Sequence, residues 1–367
     1  MKSALKSVAI AAAAALFAGS AHAVDLTIVS WGGAYTASQQ NAYHNPYMKA
    51  NPDVKIINDD SAAEGLAKLR AQVESGKVTW DIIDMVAADA IVACDEGLLE
   101  PVDADAWLAA APDGTPASKD FIPGTLTIGG TNCFIPQIVY STTFGYRTDA
   151  FKGKQPSTIA DVFDLKTFPG KRALEKKPIA NLEWALIADG VPGKDVYKVL
   201  ATPEGVKRAF AKLDTIKDHV VWWTKGAQPP QLLADGEVVI ASAYNGRLFS
   251  AIVEKKQPIA MLWDWQAFDL DGWVVPKGAK KMAAIKKYLR FATDTQRLAD
   301  QAKFISYGPA RNSSIAKVGN HAKLGIDMKP HMPTNPKNAK TILIFDYVWW
   351  ADHRAELDER FNAWLAK

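Results

Sequence analysis

Leu26-Thr27-Ile28-Val29-Ser30-Trp31-Gly32-Gly33-Ala34-Tyr35 is the stretch on which the fold of this chain turns. Residues 26–29 form an apolar, β-branched run, long enough for a buried strand and too short for a helix. The run stops at Trp31-Gly32-Gly33, where two glycines permit backbone conformations closed to other residues. Helix-compatible residues follow from Ala34. A strand that opens through glycine into a helix is the first half of a βα unit, and in open α/β sheets ligands gather at the carboxyl ends of such strands. Trp31 and Tyr35 either flank a binding crevice there or pack a core.

The chain has 367 residues, more than one hydrophobic core usually serves, so two lobes are expected. Apolar residues at 48% and charged residues at 23% exclude a disordered or fibrous chain. Residues 1–23 read as a secretory signal peptide: Lys2 and Lys6 precede an apolar stretch, and Ala21-His22-Ala23 fits cleavage after Ala23. No later apolar run is long enough to span a bilayer. Loss of the two lysines lowers the formal charge from +3 to +1, which leaves no electrostatic case for nucleic acid. Export also gives Cys94 and Cys133, the only two cysteines, an oxidising environment in which they can pair. A bridge between them would contribute about 3–4 kcal/mol in the chain-entropy account. The alternative is two separate buried thiols.

Strand and helix signals alternate along the rest of the chain. Strands are expected at residues 54–57, 80–86, 238–243 and 259–263. Helices are expected at 34–50, after a Ser61-Ala62-Ala63-Glu64 capping box, and at 87–96, 156–165 and 181–188. Further helices are read at 203–216 behind the Thr202-Pro203 cap, and at 247–256, 283–292, 295–304 and 345–365. Residues 133–147 stand apart as a long run of strand formers with no helix between its halves. A strand of that length can leave one lobe and enter another.

Motifs for catalysis are missing. The chain has no glycine-flanked nucleophilic serine, no phosphate loop ending in Gly-Lys-Ser/Thr, and no His-Glu-x-x-His helix. The histidines at 44, 219, 321, 331 and 353 are scattered and predict neither a metal site nor a cofactor site. Paired acids (Asp81 with Asp84, Asp269 with Asp271) keep an exported carboxylate-dependent, glycosidase-like enzyme on an α/β scaffold as the alternative function. Twelve tryptophans are the unusual feature, several of them at strand ends where an electron-rich ring can face a ligand cation.

The order and spacing of several short pieces resemble the periplasmic solute-binding proteins of ABC importers, in the branch that includes spermidine/putrescine binders. The pieces are Trp31-Gly32-Gly33-x-Tyr35, Trp80-Asp81-Ile82-Ile83-Asp84, Cys94-Asp95-Glu96-Gly97-Leu98-Leu99 and Phe168-Pro169-Gly170-Lys171. They continue with Asp235-Gly236-Glu237-Val238 ahead of Tyr244-Asn245-Gly246, and with Asp271 five residues before Pro276. The resemblance implies an α/β, two-lobe periplasmic-binding-protein fold of type II, with two crossing strands and a ligand cleft between the lobes. The changes of lobe then fall at residues 133–147 and 268–276. Residues 24–138 with 270–311 would form lobe 1, and 139–269 with 312–367 lobe 2. It implies a periplasmic monomer without enzymatic activity or cofactor, which delivers a small amine-bearing or zwitterionic solute to an inner-membrane ABC permease.

Carried over residue by residue, the resemblance puts Trp31 and Tyr35 on the cleft floor and Met85 to Ala87 on a second wall. Tyr244 and Tyr307 supply further aromatics, and Asp271 is the main amine partner, helped by Asp269. At the other end Lys177 or Arg247 would meet a carboxylate, Arg247 being better suited to a two-pronged grip. Two positions depart from the polyamine pattern: Lys177 and Ala180 stand where an acidic pair is expected, and Asp269 where an aromatic is. A diamine needs an anion at each end. These departures move the expectation toward an ω-amino acid unless Glu175 or Glu183 reaches the cleft.

Overall fold

A computed structural model describes residues 24–367; the signal-peptide reading falls on residues outside it. The strands are β1 (Val24–Val29), β2 (Val54–Asp59), β3 (Ile82–Val86), β4 (Ile135–Arg147), β5 (Arg172–Glu175), β6 (Val220–Trp223), β7 (Ile240–Tyr244), β8 (Ile259–Val274), β9 (Gly308–Pro309) and β10 (Ile342–Ile344). They join in one sheet of order β2-β1-β3-β8-β4-β7-β5-β6, with β9 on β4 and β10 on β8. The fold is thus mixed α/β, as the alternation of strand and helix signals predicts.

The sheet has two parallel blocks. β1 pairs in parallel with β2 and β3, and β5 pairs in parallel with β6 and β7. The long strands β4 and β8 lie antiparallel between the blocks. β3 adds to the C-terminal end of β8, and β7 to the C-terminal half of β4. Pairing of β4 with β8 breaks where Thr142 faces Ala267 but Phe144 faces Leu262, so the extra residues fall on β8. Trp265 lies in that break with φ 49°, a left-handed conformation costly for a tryptophan.

Buried cores flank the sheet at both ends. Leu26, Ile28, Ile82, Trp273 and Tyr288 pack together on the β1–β3 side. Phe144, Trp184, Leu186, Ile240 and Leu262 form a core on the β7 side, joined by Trp350, Leu357 and Phe361. Those last three, seven and four residues apart, share one face of the helix Tyr347–Leu365. Cys94 and Cys133 are bonded, tying the helix Ala87–Asp95 to the segment entering β4.

The structure corrects three local readings. Ser61 makes no cap; a 3-10 turn, Ala62–Glu64, precedes the helix Gly65–Glu74, and the Ser61 hydroxyl is buried without a partner. Residues 259–263 are only the start of β8, which runs on through the acidic-aromatic stretch to Val274 because β4 pairs with both its ends and β10 with Gln266–Phe268. The strands β5 and β6 went unread because four residues each are too few to show a period.

Candidate functional site

The C-terminal ends of β1 and β3 meet that of β7, which runs the opposite way in the other block. β1 is followed by Ser30 and Trp31 before the helix Gly33–Gln39, β3 runs into the helix Ala87–Asp95, and β7 runs into the helix Asn245–Phe249. β4 and β8 cross beneath these ends. Together these elements form a small chamber. Trp31, Tyr35, Val86 and Asp271 line it from the β1–β3 side, and Tyr244, Arg247 and Tyr307, with Ile138 and Tyr140 of β4, close it.

Asp271 is 2% exposed and lies opposite Val86 on β3 and Ile138 on β4. Its Oδ2 accepts from Tyr35 Oη at 2.6 Å and from Trp31 Nε1 at 3.0 Å. Its Oδ1 is buried without a partner. Burial pushes the acid up to about 8, the Asp269 charge adds to the shift, and the Tyr35 and Trp31 bonds oppose it. A cation brought to the bare oxygen would reverse that burden.

Arg247 enters from the other block. Its Nη2 lies 3.4 Å from the Trp31 carbonyl, and its Nε is buried without a partner. Gly33 has φ +58°, and a Cβ there would sit 2.8 Å from Arg247 Nη1, so glycine is required both by the turn and by the close approach. Tyr307 stands between the two charged groups. Burial raises its phenol to about 12, while Arg247 draws it down and Asp271 pushes it up. Tyr35 and Tyr140 each tilt against Tyr307, with centroids 5.9 and 6.0 Å away, and Tyr140 meets Tyr244 edge-on at 5.6 Å.

A wider polar chamber opens beyond Trp31, Val86, Tyr244 and Arg247. Glu175 reaches it, but one oxygen accepts from Tyr244 Oη at 2.9 Å and the other pairs with Lys177 at 2.8 Å. Asp269 also faces the outer chamber. It accepts from Tyr140 Oη and the Leu270 amide, each at 2.7 Å, and burial pushes it up to about 6.

Of the residues singled out from the sequence, Trp31, Tyr35, Tyr244, Arg247, Asp271 and Tyr307 meet in the inner chamber. Met85 and Ala87 do not line it: both are buried in the adjoining core, and Val86 between them faces the chamber because side chains alternate along β3. Asp269 stands one chamber out. Glu183 does not approach the cleft; it is buried under the helix Tyr347–Leu365, accepting from Trp350 Nε1 at 2.7 Å and Tyr197 Oη at 2.9 Å. Ile138 and Tyr140 were missed as wall residues, although the length of the run containing them marked it as a strand crossing between lobes. No cluster of three or more His, Cys, Asp or Glu able to hold a metal occurs among the described residues.

The chamber therefore offers one carboxylate oxygen and one guanidinium edge, both buried and bare, within an aromatic frame. Such groups can pair with the cationic and the anionic end of a small molecule.

The family described as bacterial extracellular solute-binding protein matches residues 42–334. The gamma-aminobutyric acid-binding protein of Pseudomonas aeruginosa is 37% identical over 350 residues, covering 95% of this chain and 93% of that one. The solved PBP MotA from A. tumefaciens B6, in complex with glucopine, is 31% identical with a TM-score of 0.81, over 93% of this chain and 100% of its own. The solved Atu4243-GABA receptor is 32% identical with a TM-score of 0.77, over 94% of this chain and 98% of its own. A spermidine/putrescine substrate-binding protein from Streptococcus pneumoniae, at 14% identity and a TM-score of 0.67, resembles the chain in fold alone.

Proposed function

The chain belongs to the bacterial extracellular solute-binding protein family, whose members bind solutes and do not catalyse, and from that premise we propose that its ligand is a small ω-amino acid of the gamma-aminobutyric acid class. Solute-binding proteins of ABC importers deliver such a solute to a membrane permease, so the enzymatic alternative has no support. The observation that carries the ligand reading is the pair of bare buried groups in one chamber, Asp271 Oδ1 and Arg247 Nε. The ligand's ammonium would meet Asp271 and its carboxylate Arg247, whose planar donors suit a two-pronged grip. Trp31 spans the two ends, since its indole N–H reaches Asp271 and its carbonyl faces Arg247.

Polyamines fit less well. A second ammonium would need a second free anion, and the Glu175 charge is already balanced by Lys177, 2.8 Å from an Oε2 that accepts no hydrogen bond, while its Oε1 accepts from Tyr244. Two relatives whose names carry gamma-aminobutyric acid support the same choice. The lobes would be residues 24–138 with 270–311 and residues 139–269 with 312–367, closing on the ligand as periplasmic binding proteins do.

Titration calorimetry with 4-aminobutyrate, putrescine and spermidine tests the proposal. The wild type should prefer 4-aminobutyrate, and Asp271→Ala should weaken it by about 30-fold or more, the cost of truncating one partner of a buried charge pair. Unchanged affinity for every ligand in Asp271→Ala would remove the site assignment. Tighter binding of the polyamines would remove the ligand class.

A further inference from the structure

A second carboxyl is buried behind Asp271, and ligand contact does not explain it. Asp84 of β3 is 1% exposed. It faces Trp273 across the β3–β8 ladder, one side-chain step from the Val86–Asp271 pair, so Asp84 and Asp271 lie on the same face of the sheet. Both Asp84 oxygens are met by one donor, Gln39 Nε2, at 3.0 and 2.9 Å. The titratable groups around it are Tyr35 of the helix Gly33–Gln39, Tyr43 of the following turn, Tyr288 of the helix Met282–Ala292, and Asp271 itself. No lysine, arginine or histidine is among its partners in the described residues. Around Asp271 stand Trp31, Tyr35, Tyr307 and Asp269, with Arg247 at the far end of the chamber.

Two carboxyls buried on neighbouring pairs of one sheet face, with no cation between them, resist ionising together. Gln39 can serve a protonated Asp84 as well as an ionised one. Turning its amide by half a turn brings Oε1 to accept from the acid and Nε2 to donate to Ser30 Oγ, now 2.6 Å from Oε1. Ser30 is followed by Thr36 at 2.9 Å, and Thr36 by the exposed Asp60 at 2.7 Å, so the reversed chain ends on an acceptor at the cleft. On the other side, Gln39 Nε2 lies 3.3 Å from Gln137 Oε1; the Gln137 amide, its Nε2 buried without a partner, turns with that of Gln39, and the Tyr35 hydroxyl that bonds Asp271 at 2.6 Å stands 2.7 Å from it.

Resting on the amine reading above, we propose that Asp84 is the proton holder of the site. It keeps its proton when ligand is bound, while Asp271 gives up its own, so that each amine captured expels one proton and the site presents one negative charge. The balance is simple: the Asp271 carboxyl loses its proton to water and the ligand ammonium takes its place. Burial and the Asp271 charge both hold Asp84 well above the ordinary carboxylate range, in the direction this assignment needs. The arrangement matches the site to a monocation, whereas a dication would need Asp84 ionised as well, out of the ligand's reach.

Infrared spectroscopy of the 4-aminobutyrate-saturated full chain at pH 8 reads this directly. The carbonyl stretch of a protonated carboxyl should persist with ligand bound, shift on labelling of the aspartates with carbon-13, and vanish in Asp84→Asn. Calorimetry at pH 7 in two buffers of different ionisation enthalpy should count about one proton released per ligand, with affinity falling about tenfold per pH unit below 7. Absence of a labelled-aspartate band in the bound wild type overturns the inference, as does its survival in Asp84→Asn. Because labelling needs no variant, the test holds even if Asp84→Asn fails to fold. Loss of binding in Asp271→Ala together with an absent band would defeat the proton assignment and leave the amine site standing.

Discussion

Asp271 is a carboxyl with one oxygen satisfied and the other bare in a low-dielectric chamber, and that local fact governs how pH acts on the protein. Its folded value of about 8 lies above the roughly 3.9 of an unfolded aspartate. A group raised on folding contributes stability that is complete below the unfolded value and is lost as pH rises through the folded one. The stability of the ligand-free wild type relative to Asp271→Asn should therefore fall between about pH 4 and 8, by up to about 1.4 kcal/mol per pH unit. Chemical denaturation of both proteins across that window checks it; a flat difference would place Asp271 in the ionised state throughout. Ligand reverses the sign, because an ammonium stabilises the charged form. Trp31 and Arg247 were legible because each follows a recognisable strand, and Asp271 through the family resemblance, from its place five residues before Pro276. Val86 was hidden because the alternation of a strand settles which of three neighbours faces a cavity only when its register is known.

Gly33 shows how an element is tuned to carry a site. Its positive φ opens the helix Gly33–Gln39, and its missing side chain makes room for a guanidinium from the other block of the sheet. Gly33→Ala should weaken 4-aminobutyrate more than butylamine, which has no carboxylate; equal losses for both would mean that only the turn was disturbed. The helix Ala87–Asp95 is fixed differently, by the bond from Cys94 to Cys133 across 39 residues. Reduction should lower the unfolding free energy by about 3–4 kcal/mol, and the oxidised protein should show no titratable thiol in denaturant. Two thiols found under non-reducing conditions would refute the bridge. At this scale β4 was legible because strand formers run through it unbroken. β8 was legible only at its ends, because its acidic-aromatic middle is ordered from elsewhere, by β10 on Gln266–Phe268 and by Thr341 Oγ1 accepting from the Trp265 amide, rather than by its own composition. The capping box at Ser61 failed for a related reason, a tight turn having taken the place of the cap.

At the scale of the whole molecule, the two parallel blocks are joined through β4 and β8, and Val139–Ser141 and Phe268–Leu270 lie between the residues of β8 paired with β3 and those of β4 paired with β7. The cores on either side of that stretch are closely filled. Closure should therefore concentrate at Val139–Ser141 and Phe268–Leu270, with the blocks moving as rigid bodies. The helix Tyr347–Leu365 spans the same region. Trp350 is held by Glu183 in one core, and Arg354 lies 3.5 Å from Asp89 on the helix Ala87–Asp95. The site sits across this junction, Asp271 reaching the chamber from the β3 side and Arg247 from the β7 side. A ligand charged at both ends would therefore tie the blocks together, and one lacking its carboxylate would not. Small-angle scattering should show a smaller radius of gyration for wild type with 4-aminobutyrate than without it. Butylamine should leave the radius nearly unchanged, as should 4-aminobutyrate added to Arg247→Ala at concentrations that saturate its weakened site. Equal radii for wild type with and without 4-aminobutyrate would show that the site fills without closure, and equal compaction by butylamine would take Arg247 out of the closing step.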